Sequence, residues 1–216
     1  YWLLPDGTED IQWMGDYPGV YSFRQHQIGH KNTYVVSFMT GCVHRCSYCN
    51  NWARYLKYRD ICGNKAPRVR YKTPERMVEE LKIIKNHHRV KFLFIADNDI
   101  CIRSLEEIRE FYMLYKEVIG LPFYAMASPD TLTEKKLKVL IAAGLVELNV
   151  GIQTIERVNA NMYNRNIKDR EVLDVTQMIN RYVKQAKLDV FYDFIFFLSL
   201  IHISEPTRPL YISYAV

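Results

Sequence analysis

Apolar residues follow two alternating rhythms along this chain. Short, nearly unbroken apolar runs cover residues 33–40, 90–96, 121–128, 145–153 and 188–198. Their length and their Val, Ile, Phe and Tyr content predict buried β-strands. Between them, apolar side chains return every three or four residues, which predicts amphipathic helices. Helix boundaries are also written in the sequence. Thr73-Pro74 supplies an N-cap and a first-turn proline for a helix running to about His88. Ser104-x-x-Glu107 is a capping box for a helix that stops at Gly120. Thr131-x-x-Glu134 reads as a second capping box, with Gly144 closing its helix. Two more helical patterns cover 156–163 and 169–185.

Strands that are apolar throughout, separated by amphipathic helices, predict an α/β fold built on a parallel sheet. Right-handed crossovers then either curl the sheet or wind it on both sides. The pattern does not choose between barrel and open sheet. In both, the C-terminal strand ends share one rim, where ligands bind. Residues 1–32 are polar, aromatic and weakly periodic, and read as a lead-in from an upstream region.

Composition narrows the picture modestly. The 216 residues suit one domain, and 49% hydrophobic with 25% charged residues is the balance of a soluble globular chain. The net charge of +5 is mild, and no Lys/Arg run dominates. That predicts a slightly basic surface and leaves nucleic-acid binding undetermined. The longest apolar run, 191–201, carries Asp193 and falls well short of the about 20 residues a bilayer span needs, so no membrane association is expected. Five cysteines are an odd number, and three are clustered. This reads as metal binding in a reducing, cytoplasmic compartment and not as a disulfide framework. Cys62 and Cys101 read as incidental or buried thiols.

The clustered three are Cys42, Cys46 and Cys49, in Thr40-Gly41-Cys42-Val43-His44-Arg45-Cys46-Ser47-Tyr48-Cys49. A C-x3-C-x2-C loop can offer three thiolates to one metal centre. A closed structural zinc site takes four ligands, and an ordinary 4Fe–4S cluster takes four cysteines. Three therefore predict a cluster with one iron open to a further ligand. Polar residues at the other strand ends are candidates to hold that ligand: Asp97, Asn98 and Asp99, then Ser128, then Gln153, then Asp193. Buried polar groups need partners.

The cysteine loop with its Tyr48 resembles the signature loop of the radical S-adenosylmethionine (radical SAM) superfamily. The likeness extends over about 33–198. Leu148-Asn149-Val150-Gly151-Ile152-Gln153-Thr154 resembles the family's fourth-strand motif, and Met162-Tyr163-Asn164-Arg165 resembles the segment after it, with one residue inserted. Asp97-Asn98-Asp99 departs from the commoner Gly-Gly-Glu. The resemblance implies a partial parallel (β/α)6-type TIM-like barrel, incomplete at the C-terminus. It implies a 4Fe–4S cluster on Cys42, Cys46 and Cys49, with SAM bound by its methionyl group to the open iron. Asp97, Asn98 and Asp99 would meet the SAM ammonium and Gln153 the ribose or methionyl end. Arg165 would clamp the carboxylate and Asp193 the ribose hydroxyls. Tyr48 would lie beside the adenine, and Ser128 would be a further contact. The implied activity is reductive cleavage of SAM to a 5′-deoxyadenosyl radical that abstracts hydrogen from an unspecified substrate. An electron donor such as flavodoxin or ferredoxin is implied as partner. The wording is nearest to the branch with cobalamin-binding, methylthiotransferase-like and coproporphyrinogen-oxidase-like members. A cobalamin domain would lie upstream, so cobalamin is permitted but unsupported in this fragment.

Two other readings use the same cysteines. A zinc-binding module would recruit His44, Cys62 or Cys101 as fourth ligand, and an electron-transfer iron–sulfur module would recruit Cys62. Finally, residues 199–216 resemble a translated sequencing adapter and are expected to be a non-biological tail. The natural protein is then expected to continue with at least one more strand–helix unit.

Overall fold

A computed structural model describes residues 32–63, 65–87 and 89–195. In chain order its elements are β1 (Thr33–Val36), β2 (Met39–Gly41), α1 (Asn50–Cys62), β3 (Val69–Tyr71), α2 (Pro74–His87), β4 (Phe92–Ile95) and a 3-10 turn at Ile100–Ile102. Then follow α3 (Leu105–Val118), β5 (Phe123–Ala127), α4 (Glu134–Ala143), β6 (Leu145–Gln153), α5 (Glu156–Asn161), α6 (Asp169–Ala186) and β7 (Asp189–Phe194).

Five strands form one parallel sheet in the spatial order β1-β4-β5-β6-β7. Spatial order equals chain order, so the winding never reverses and the helices gather on one face. Leu93, Ile95, Ala125, Leu148 and Val150 point into that layer and meet Leu81, Ile108, Tyr115, Leu137, Leu140 and Ile179 from the helices. The opposite, concave face carries Phe94 stacked on Tyr124 (centroids 4.3 Å apart), with Val35, Ala96, Met126 and Val146 around them. One-sided winding with a distinct inner face decides between the two architectures that the pattern left open: this is a partial TIM-like α/β barrel. All five strand C-termini lie on one rim.

Three local expectations are corrected. The first strand is not continuous over 33–40. Asp97 Oδ1 accepts from Phe38 N (2.6 Å), Met39 N (2.8 Å) and Ser37 Oγ (3.1 Å), and this clamp ends β1. The chain then enters β2, which pairs antiparallel with β3 outside the main sheet. The second capping box does not form. Thr133, not Thr131, caps α4 by accepting from Lys136 N, while Thr131 Oγ1 donates to Asp99 Oδ2 at 2.6 Å. The helix expected over 156–163 stops at Asn161, where the i→i−4 ladder is broken: Tyr163 N reaches Val158 O, Arg165 N reaches Asn159 O and Asn164 turns left-handed. The box at Ser104 and Glu107 is formed in full.

Two elements, α1 and β3, have no counterpart in the hydrophobic pattern. Only Ala53 of α1 is buried. The lead-in expected over 1–32 (Asn32 apart), the tail expected over 199–216 and the end of the fifth predicted strand lie outside the described residues. Among the described residues no helix is long and apolar enough to cross a membrane.

Candidate cofactor site at the strand ends

The cysteine loop is held at both ends. At its start, Gly41 adopts φ +93°, and a side chain there would run into the Arg68 carbonyl. Asn98 Nδ2 donates to Gly41 O at 2.8 Å, and Asn98 Oδ1 accepts from Asn51 Nδ2 at 2.9 Å. One exposed amide thus joins the rim after β4 to the loop and to the first turn of α1. Arg68 donates to Val43 O. At the far end the loop docks on the Met162–Arg165 segment. Ser47 N donates to Tyr163 O (2.9 Å), Ser47 Oγ to Met162 O (2.6 Å) and Asn164 Nδ2 to Arg45 O (3.2 Å). Tyr48 meets Tyr163 edge-on at 5.0 Å.

Arg165 is the centre of the site. It is buried, and one terminal nitrogen donates to both Ser128 Oγ and Gly151 O, each at 2.8 Å. This ties the ends of β5 and β6 together. Its Nε is buried with no partner. Gly151 lies directly under both groups: a Cβ there would come to 2.8 Å from Gln153 Nε2 and 3.6 Å from the Arg165 guanidinium, so both side chains converge on it. Gln153 itself sits at φ +71°, where β6 slips register against β7. The left-handed turn folds its amide back toward Arg165. Asp193 is level with Gly151 on β7, is exposed, and interacts with Asn149 and Arg165. The Tyr48 hydroxyl lies between the Cys46 sulfur and Arg165, and burial pushes its ionisation well up.

The structure therefore brings together Cys46, Tyr48, Ser128, Gln153, Arg165 and Asp193, with Cys42 and Cys49 on the same loop. Asp97 and Asp99 are engaged by the fold itself, and the Asp99 charge is near enough to Cys42 to help raise its pKa. Asp97 Oδ1 is occupied by the β1–β2 break, while its Oδ2 is buried with no hydrogen-bond partner. Asp99 accepts from Cys101 N (2.8 Å) and Thr131 Oγ1, and burial pushes its carboxyl up to about 7. Asn98 sits between them at the loop's foot.

Sequence reasoning missed four contributors. Asn159 is buried, donates to Thr154 O (2.7 Å) and Ile152 O (3.3 Å), and accepts from Arg165 N at 2.9 Å through its carbonyl. Ser47 and Tyr163 dock the loop, and Asn51 anchors Asn98. Their signals are distances across the fold that no local pattern carries. His44 lies inside the loop with its Nε2 buried, without a hydrogen bond, 3.8 Å from Asp130 Oδ1. Burial lowers its pKa.

The donor set can be tested against the groups it is expected to hold. Among the described residues no three His, Cys, Asp or Glu side chains converge on a point that a single ion could fill. A cube of four irons and four sulfides is wider than one ion and spaces its thiolates accordingly. Cys42 and Cys46 have raised pKa values, because burial and neighbouring thiols disfavour the thiolate. A cationic iron centre reverses that balance. Cys62 ends α1, about 20 Å along the helix axis from Cys49, which is too far to close the same centre. Cys101 is buried in the main core. Three loop thiols, with the spare Arg165 Nε close by, fit a cluster with one open iron and an anionic ligand next to it.

Residues 36–198 match the radical SAM superfamily, and the chain belongs to it. That superfamily consists of enzymes that use a 4Fe–4S cluster and S-adenosylmethionine. Among curated proteins, the chain is 25% identical over 137 residues to the anaerobic magnesium-protoporphyrin IX monomethyl ester cyclase of Rubrivivax gelatinosus. The match covers 62% of this chain and 23% of the cyclase, so the chain spans less than a quarter of that relative. Among solved structures, it resembles the radical SAM methyltransferase TsrM of Kitasatospora setae, solved with cobalamin and a [4Fe-4S] cluster bound (TM-score 0.55, 16% identity, 75% of this chain and 30% of that one). It also resembles coproporphyrinogen III oxidase (HemN) of Escherichia coli, a radical SAM enzyme (TM-score 0.51, 13% identity, 85% and 41%). At these identities the structural likeness speaks to the fold alone.

Proposed function

We propose that this chain is the SAM-activating core of a radical SAM enzyme, with Cys42, Cys46 and Cys49 holding a 4Fe–4S cluster. When bound, cluster and SAM together supply one-electron cleavage of SAM to a 5′-deoxyadenosyl radical, which takes hydrogen from a substrate. The chain's own residues bind and orient. Arg165 receives the SAM carboxylate on its spare Nε, while Ser128 and Gly151 fix the guanidinium plane and stop it from swinging away. Gln153 reaches the ribose or methionyl end from its left-handed turn. Asp193 accepts from ribose hydroxyls, and Tyr48 flanks the adenine. Asn98 is the open-sided amide nearest the loop's start and meets the ammonium; Asp97 and Asp99 support it from below. Tyr48, Tyr163 and the buried Cys46 keep water off one side of the cluster.

The observation that carries this reading is a buried arginine, fixed by two strand ends, with an unpartnered donor beside a three-cysteine loop. The test uses the full-length protein, reconstituted anaerobically with iron and sulfide. Reduction should give a 4Fe–4S EPR signal that changes on adding SAM. An intact cluster whose signal ignores SAM overturns the proposal. Partners follow the same status: a low-potential one-electron donor and an organic substrate are required, and cobalamin stays an option that a domain elsewhere in the full-length protein would decide.

A further inference from the structure

The basic residues of this chain are unevenly placed. Residues 45–72 hold eight Lys or Arg and a single acid, Asp60, so this stretch exceeds the net +5 of the whole chain and the remainder is slightly acidic. They form no run in the sequence. The fold places Arg45 on the cysteine loop, Arg54, Lys57 and Arg59 on α1, Lys65 and Arg68 on the connection to β3 and Arg70 on β3, while Lys72 pairs with Glu80 of α2 at 2.6 Å.

Their surroundings are specific. Trp52 stacks on Tyr55 at 5.4 Å. Arg45 and Arg68 lie over the Trp52 ring, at 5.6 and 5.2 Å, and Arg70 lies over Tyr58 at 5.4 Å. Arg54, Lys57, Lys65 and Arg70 are exposed. The same segment exposes Ile61 and Tyr71, and the cysteine loop beside it exposes Val43. Aromatic and arginine side chains with a few apolar tips and almost no acid are the composition of a protein–protein contact. The face also borders the candidate cluster. Trp52 N donates to Cys49 O, so the indole stands within one helical turn of the third cysteine.

We propose that this face, α1 and β3 with the loop, docks an acidic one-electron donor protein and brings its redox centre against the cysteine loop. The inference rests on the cluster reading above. A donor of ferredoxin type gives one electron. Its own cluster is oxidised, the Cys42–Cys46–Cys49 centre is reduced, no bond is made or broken, and no proton moves. An acidic partner is favoured over single-stranded RNA, which also seeks basic aromatic faces. RNA binding of that kind needs open ring faces for base stacking, and here arginines occupy faces of Trp52 and Tyr58. Arg45 and Arg70, both exposed, then present charge outward, which steers an anionic surface by long-range attraction.

The test compares the full-length holoprotein with its Arg54→Glu/Lys57→Glu/Lys65→Glu variant, none of these residues belonging to the cofactor site. The probe is an acidic ferredoxin, with binding read by calorimetry and reduction by stopped-flow absorbance. Expected is a Kd at least about tenfold weaker in the variant at low salt, a matching fall in reduction rate, and convergence of the two proteins near 0.5 M salt as screening removes the attraction. Reduction by dithionite should be the same in both. Should the variant fold poorly, the salt dependence of the natural protein decides: ferredoxin binding must weaken steeply with salt. Equal donor binding by both proteins, salt-independent binding, or tight binding of a labelled single-stranded RNA without any donor binding overturns the proposal. Failure of the cluster reading looks different, because dithionite then produces no SAM-responsive signal in either protein.

Discussion

The helix-clad sheet and the cysteine-loop region are neighbours held by different forces. In the sheet, β4 is buried at every position, and Leu137, Leu140 and Leu148 are completely enclosed. Its stability is spread over many apolar contacts, each small and none indispensable in kind. The loop region, with α1 and β3, buries one residue of its helix and relies on point contacts: Asn98 to Gly41, Ser47 to the 162–163 carbonyls, arginines over Trp52 and Tyr58. The division suits the proposed chemistry. A rigid rim fixes Ser128, Gly151 and Gln153, and a lightly held loop can admit a cluster and a ligand. It also means that damage to the two regions should look different.

The largest effect is expected in the sheet. Leu140→Ala empties a fully buried site between α4 and the sheet and should cost about 2–5 kcal/mol. Urea unfolding should show a lower midpoint with an unchanged slope. Iron content should stay normal under native conditions, since no loop contact is touched.

Gly41→Ala is the reverse experiment. It places a methyl group against the Arg68 carbonyl at a φ that favours glycine. The strain, about 1–3 kcal/mol, falls on the loop. Reconstituted protein should carry clearly less iron per chain, while far-UV CD of the sheet and helices stays close to that of the natural protein. Equal loss of both signals would mean the two regions unfold together.

The border between the regions is Arg165. Arg165→Lys keeps the charge and can still reach Ser128 and Gly151 through one nitrogen, but it loses the separate Nε donor and the planar guanidinium. SAM binding should weaken about 10–100-fold, worth about 1.4–2.7 kcal/mol, with the cluster still assembled. Calorimetry with SAM on the reconstituted protein reads this directly. Unchanged affinity would remove Arg165 from the binding site and leave it as a tie between β5 and β6.

The two regions were also unequally legible. Strands 4 to 7 and their helices follow from apolar runs and caps because burial is what forms them, and β6 ends where its run ends, at Gln153. The helix α1 gave no signal: its sequence, Asn50 to Cys62, is aromatic and charged on all sides, so periodicity had nothing to report. The break between β1 and β2 is imposed by Asp97, 58–60 residues further along the chain. Thr131 and Thr133 are both plausible caps by pattern, and only the proximity of Asp99 draws Thr131 away. The candidate site was legible through its motif, three cysteines with Gln153 and Arg165, whose roles remain those proposed above. That Gln153 and Arg165 converge over Gly151 depends on a left-handed turn at Gln153, and Asn159 contributes through bonds to two carbonyls that no motif records.

The smallest effect is a slope, and it probes the seam directly. Asp99 sits between the core thiol Cys101 and the rim, and its folded pKa of about 7 lies above the usual carboxylate value because burial penalises the charge and Asp130 adds repulsion. Thr131 and the Cys101 amide only partly offset this. The folded state therefore holds this proton more tightly than the unfolded chain. Stability from this group is fully present below about pH 4 and is lost as pH rises toward 7. The contribution amounts to at most about 1.4 kcal/mol per pH unit in that window. Asp99→Asn keeps the acceptor for the Cys101 amide, and the rotatable Thr131 hydroxyl can accept from the new amide group. In apo-protein, urea unfolding between pH 5 and 7 should show the natural protein losing stability relative to the variant as pH rises. If the difference stays constant, Asp99 is already ionised in the fold, its charge is balanced by Lys136, and the seam is held as an ion pair and not as a buried acid.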